Sequence, residues 1–203
     1  MLWAIVLVGW VAGVGFGLAT LWSYENAPAP RAEIASAWPA TAAVRQRQGR
    51  ATLVVMLHPQ CSCSRATVAE LARLMARNAG HLEAYALVLA PRSESEAWVR
   101  SDLWHAADAI PGVRVVADRD GEDARRFGAV ASGQTILYGG DGRLQFSGGI
   151  TASRGHEGDN AGMDAIEAAL QGKTAPRRES TFVFGCLLFN ADGGPGVADG
   201  AGE

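Results

Sequence analysis

Residues Thr52 to Leu74 (TLVVMLHPQCSCSRATVAELARL) constrain this chain more than any other stretch. Leu53, Val54, Val55, Met56 and Leu57 form an apolar, partly β-branched run that reads as a buried strand. After Ser64, Val68, Leu71, Leu74 and Met75 recur at helical spacing. Two of the three cysteines, Cys61 and Cys63, lie between these elements. A strand that turns straight into a helix leaves the turn beside unpaired backbone N–H groups and the positive end of the helix dipole. A thiol there ionises more readily, and the thiolate is the form that attacks disulfides. Cys61 is therefore the candidate nucleophile.

The remaining chain alternates in the same way. Leu82 to Leu89 reads as a second strand and Ser93 to Ala107 as a helix capped by Ser93, with Glu96 at the capping-box position. Trp98 and Trp104 on that helix read as core or rim residues. Val113 to Ala117 gives a third strand and Asp120 to Phe127 a short helix. Alternation of this kind implies βαβ units with parallel pairing. Gln134 to Tyr138 and Leu144 to Phe146, separated by Gly139-Gly140-Asp141-Gly142, then read as an antiparallel hairpin. Asn160 to Leu170 supplies a last helix.

HPQCSCSRATVAEL resembles the active-site segment of the thioredoxin-like superfamily, in which Cys-x-x-Cys precedes a helix running to Glu-Leu. On that correspondence Cys61 falls on the attacking cysteine, Ser64 on the second one, and Cys63 between them, giving Cys-x-Cys-Ser. HPxCxCSRA together with the later GGITASRGHEGDN resembles more closely a group of membrane-anchored bacterial thioredoxin-like proteins known as RedB. The resemblance implies an α/β thioredoxin-like fold, a central mixed sheet flanked by helices, over residues 50–172. It brings two loops towards Cys61: Ala131 to Thr135, and Gly148 to Asn160. The family's cis-proline position holds Gln134, followed by Thr135. A cis bond before a residue other than proline costs about 3 kcal/mol. A trans peptide is expected here, with Gly133 supplying an unusual backbone angle and the Gln134 side chain aimed at the thiols.

Supporting roles follow for His58 at the strand end, for Ser64 as a hydrogen-bond donor, and for Arg154 and His156 as groups that raise the thiolate fraction or move protons. A solvated loop that caps the last helix is the plain alternative for the 148–160 segment. Cys186 lies in an apolar stretch, Thr181 to Phe189, within a C-terminal tail of residues 173–203. It reads either as a buried structural cysteine or as a resolving thiol for Cys61 or Cys63, the second requiring Cα separations under about 7 Å.

Leu2 to Trp22 carries no charge. At about 1.5 Å per residue it makes a helix of roughly 31 Å, matching a hydrocarbon core of about 30 Å. Trp3, Trp22 and Tyr24 stand where interfacial aromatics belong. Residues 1–24 read as a single-pass anchor in a bacterial inner membrane, with the soluble domain in the periplasm. A cleaved signal peptide with Ala27-Pro28-Ala29 as its mimic of a cleavage site is the competing reading. Gly9, Gly13 and Gly17 would permit close helix approach and hence a homodimer. Residues 25–49, rich in proline and alanine, read as a spacer whose Trp38-Pro39 docks on the domain edge or stays exposed.

Three cysteines in 203 residues make no disulfide scaffold and fit no four-ligand zinc or haem-attachment spacing. Net charge is −3, which disfavours non-specific nucleic-acid binding. The leading expectation is thiol–disulfide exchange by Cys61 with a disulfide-containing protein or small thiol, without a cofactor. The mixed disulfide is resolved by Cys63, by Cys186 or by an outside thiol. A second expectation is Cu(I) binding by Cys61, Cys63 and an imidazole from His58 or His156. A third is a non-catalytic interaction module, since Ser64 and Gln134 both depart from the active pattern. A peroxidase would need a Thr-x-x-Cys that the chain lacks.

Overall fold

The computed structural model describes residues 2–173, 180–190 and 192–196. Helix α1 covers Leu2–Glu25, and none of its residues is buried against the rest of the protein. It is long and apolar enough to cross a membrane. The folded part follows as β1 (Ala51–Leu57), α2 (Ser64–Arg77), β2 (Leu82–Ala90), α3 (Glu96–Val99), α4 (Asp102–Asp108), β3 (Val113–Arg119), α5 (Glu122–Phe127), β4 (Thr135–Tyr138), β5 (Leu144–Gly148) and α6 (Ala161–Leu170).

The five strands form one sheet in the order β3-β2-β1-β4-β5. β1, β2 and β3 run parallel, while β4 and β5 run antiparallel to their neighbours. This is the mixed sheet of the thioredoxin-like fold, with β1 central and its C-terminal end opening into the cysteine turn. Period-two alternation divides β1 between the faces. Leu53, Val55 and Leu57 join Leu71, Leu74, Leu103 and Ile166 beneath α2, α4 and α6. Val54 and Met56 join Phe127, Ile136 and Tyr138 on the other face.

The helix expected from Ser93 to Ala107 is two short helices. Ser95, not Ser93, caps the first by accepting from the Trp98 N–H. Arg100 leaves helical geometry at φ −84°, ψ 51° and Ser101 is extended, restarting the chain as α4. The break has a tertiary cause: the Ser101 hydroxyl donates to the Pro59 carbonyl at 3.0 Å, holding this segment against the cysteine turn.

Residues 29–44 differ from the expected spacer by packing on the sheet. Trp38 meets the rings of Phe127 and Tyr138 edge-on at 5.2 and 5.3 Å. The Tyr138 hydroxyl donates to the Ala35 carbonyl at 2.9 Å, and Val44 is buried. The exposed side of β1–β4–β5 would otherwise leave these aromatics in water, so a covering segment stabilises it. The apolar tail segment also packs on the domain. Val183 and Leu188 are buried, and Leu188 joins the Phe127 cluster. Within the tail, residues 174–179, 191 and 197–203 lie outside the described residues.

Candidate active site

The site begins where β1 stops. Cys61 N–H donates to the His58 carbonyl and Ser64 N–H to the Cys61 carbonyl, at 3.0 and 3.1 Å. These turns fold the chain back so that Cys63 becomes the N-cap of α2, its side chain making no capping bond. Pro59 supports this by supplying a fixed φ and no competing N–H. Cys61 and Cys63 are both buried, and the thiols are free.

The tail delivers the third thiol. Cys186 donates to the Cys61 sulfur, with the two Sγ atoms 2.7 Å apart. A disulfide spans about 2.05 Å, so bond formation requires only a small further approach. The two sulfurs polarise in opposite directions. The Cys186 hydrogen bond holds the Cys61 thiol far below its ordinary range; burial opposes it, and hydrogen bonds from the Ser64 hydroxyl and nearby backbone reinforce it. Cys186 is pushed up, first by donating to Cys61, then by burial and by the charges of Cys61 and Cys63, with Arg154 acting against them. The contact thus draws the Cys61 thiol down and pushes the Cys186 thiol up.

Ser64 extends a polar chain away from Cys61. Its Oγ lies 2.6 Å from the Ser132 Oγ, which in turn accepts the His58 N–H at 2.8 Å. The His58 ring is occupied elsewhere. Gln60 N–H donates to Nδ1 at 3.2 Å, which leaves the proton on Nε2, and Nε2 donates to the Gly196 carbonyl at 2.7 Å. His58 therefore ties the strand end to the tail, with the edge of Trp98 against its ring at 5.5 Å.

The backbone of the loop before β4 takes the expected form: among the described residues no peptide bond is cis, and Gly133 has φ 85°. That angle lets the Gly133 N–H donate to the Met56 carbonyl at 2.7 Å and the Gln134 carbonyl accept from Met56 N–H at 2.9 Å. The Thr135 hydroxyl donates to the Gly133 carbonyl at 3.2 Å. Gln134 lines a cavity of about 250 Å³ together with Ala29 to Ala32 and Ser180 to Val183 of the chain's own terminal segments.

Arg154 and His156 lie apart from the sulfurs' hydrogen-bond network. Glu70, buried in α2, accepts the Gly158 N–H at 2.7 Å and fixes the loop at its far end. The Arg154 guanidinium stacks over the Tyr24 ring at 5.0 Å and donates to the Tyr24 and Ala27 carbonyls at 3.1 and 3.3 Å. A cation on the last carbonyls of α1 is favoured by the helix dipole. His156 is exposed, with Nδ1 donating to the Arg154 carbonyl at 3.1 Å. Neither imidazole joins Cys61 and Cys63 in a donor set. Among the described residues no group of three His, Cys, Asp or Glu side chains is placed to hold an ion.

Ser132, Glu70 and Gly196 were not marked as site residues by sequence. Ser132 sits in a loop whose approach to Cys61 was expected, so a hydroxyl there could have been named. Nothing in the glycine-rich tail signals Gly196.

No protein-family model matches the chain, and no curated protein matches its sequence. Solved structures do resemble it. A hypothetical protein of Sinorhizobium meliloti 1021 superposes with TM-score 0.56 and 20% identity, over 79% of this chain and 93% of that one. A conserved protein of Geobacillus kaustophilus gives TM-score 0.56 and 16% identity, over 78% and 90%. A secreted disulfide oxidoreductase of Mycobacterium tuberculosis superposes more loosely, with TM-score 0.42 and 13% identity over 62% and 83%. At these identities the first two bear on the fold alone and the third adds no argument.

Proposed function

We propose that the protein is a thiol–disulfide oxidoreductase in which Cys61 attacks and Cys186 resolves. The observation that carries this reading is the 2.7 Å approach of the two sulfurs, with the Cys61 thiol drawn down and the Cys186 thiol pushed up. Cys61 thiolate attacks a partner disulfide, forming a mixed disulfide and releasing one partner thiolate, which takes up a proton. Cys186, deprotonated as it attacks, displaces the second partner sulfur from Cys61 and closes the Cys61–Cys186 bond. The partner gains two electrons and the Cys61–Cys186 pair loses them. A dithiol of another protein, or two equivalents of a small thiol, returns the pair to the reduced state by the same exchange run backwards, and is itself oxidised to a disulfide.

Cys63 has no required role in this cycle. A Cys61–Cys63 bond would close a smaller ring than Cys-x-x-Cys, whereas Cys186 already stands at the attacking sulfur. Helix α1 supports attachment to a bacterial inner membrane with the thiol domain on the periplasmic side, and HPxCxCSRA with GGITASRGHEGDN supports placement among the RedB-like proteins. Reductase activity towards insulin, measured on the full chain in detergent micelles, tests the reading. Cys61→Ser abolishes turnover, Cys186→Ser stops it at a mixed disulfide, and Cys63→Ser retains it. Loss of turnover in Cys63→Ser with retention in Cys186→Ser would overturn the assignment.

A further inference from the structure

The tail does more than carry a sulfur to Cys61. Ala131 and Leu187 stand opposite each other as an antiparallel bridge. Ser132 N–H donates to the Cys186 carbonyl at 2.8 Å and Leu188 N–H to the Val130 carbonyl at 2.9 Å. The approach is close enough that a Cβ on Gly185 would overlap the Ser132 carbonyl oxygen. Leu188 is buried one residue beyond the bridge, and Gly196 is held by His58. Cys61 is left only 3% exposed, with the Cys186 sulfur against it. An incoming disulfide needs a free line of approach to the Cys61 sulfur. A peptide bearing it gains affinity by pairing its backbone with an unpaired edge. The tail occupies both places.

We propose that Phe184 to Phe189 (FGCLLF) is an intramolecular substrate mimic, an extended cysteine peptide docked on the Val130–Ser132 edge. An extended cysteine-bearing segment of a partner protein displaces it. The inference rests on the exchange chemistry proposed above and specifies its partner. The edge accepts a segment with glycine before the cysteine, because a side chain there meets the Ser132 carbonyl, and with an apolar residue two positions after it, where Leu188 is buried. Tail and partner exclude one another. Return of the tail after the first attack brings Cys186 to the mixed disulfide, forms the Cys61–Cys186 bond and expels the partner as a thiol. Occlusion and resolution are then two halves of one movement.

The test uses the full chain in micelles with Cys63→Ser and Cys186→Ala, so that Cys61 is the sole thiol. Adding Gly185→Ala raises the rate of Cys61 alkylation by iodoacetamide about tenfold or more, the change expected when a short backbone pairing is lost. The peptide Phe-Gly-Ser-Leu-Leu slows alkylation of that variant, and Phe-Val-Ser-Leu-Leu does not. In the protein without Gly185→Ala, the Ser132 and Leu188 amides exchange with solvent no more slowly than Cys61 becomes accessible. Alkylation unchanged by Gly185→Ala, or faster than the opening of those two amides, overturns the mimic. Alkylation requires no disulfide turnover, so these outcomes are separate from loss of insulin reduction, which would count against the exchange reading alone.

Discussion

The Ser64 hydroxyl lies 2.6 Å from the Ser132 hydroxyl, which joins the first turn of α2 to the loop before β4 directly behind Cys61. Both side chains are buried, so neither has water as an alternative partner. The contact makes two separate predictions, one about ionisation and one about stability.

Ser64→Ala removes a donor to the Cys61 sulfur without removing the donor from Cys186. A hydrogen bond to a charged group contributes about 1.5–3 kcal/mol, so the Cys61 thiol titrates about one to two pH units higher. Ultraviolet thiolate absorbance followed against pH measures this. Cys186→Ala shifts the titration further in the same direction, because the Cys186 bond is the largest influence on Cys61.

Ser132→Ala acts mainly on folding. It leaves the buried His58 N–H without its acceptor, at a cost of about 1–3 kcal/mol. Urea unfolding of the reduced protein should show the loss with little change in slope.

Trp38→Ala tests whether residues 29–44 belong to the folded unit. Edge contacts with Phe127 and Tyr138 disappear, and the expected destabilisation is about 2–4 kcal/mol. A freely solvated spacer would tolerate the change within about 0.5 kcal/mol. Calorimetric melting of the two proteins separates these outcomes.

Asp118 gives a pH dependence of defined sign. Burial pushes its carboxyl from the ordinary 3.8 up to about 6, against the N–H groups of Asp123 and Ala124 that donate to it. A raised folded value contributes stability below the unfolded value, and that contribution is lost as pH climbs through the folded one. Unfolding free energy should therefore fall between about pH 4 and pH 6 relative to Asp118→Asn, by on the order of 2–3 kcal/mol. A constant difference between the two proteins across that window would contradict the assignment.

Much of this arrangement was legible in the residue order. The apolar run of β1, the helical spacing after Ser64 and the Gly139–Gly142 turn are local signals, and each produced its element. The trans peptide at Gln134 and the open angle at Gly133 followed from local backbone energetics. The broken helix between Ser95 and Asp108 was not legible, because Ser101 leaves the helix to meet Pro59, a partner distant in sequence. Residues 29–44 were legible only as a choice between a docked and an exposed Trp38-Pro39, for a related reason. Their proline and alanine content suggests a spacer, while their packing depends on how Phe127 and Tyr138 come together. Arg154 was expected near the thiols from its loop, and its charge does act on Cys186, while its hydrogen bonds go to the Tyr24 and Ala27 carbonyls, which no local pattern reveals. Cys186 was named as a candidate, but its choice between core and site depended on the antiparallel pairing of the tail with Ala131.

The most direct measurement is disulfide mapping of the full chain after oxidation in detergent micelles, with free thiols alkylated before proteolysis and mass spectrometry. A cross-link between the peptides carrying Cys61 and Cys186, with Cys63 alkylated, is the predicted result. A Cys61–Cys63 bond with Cys186 alkylated would contradict it.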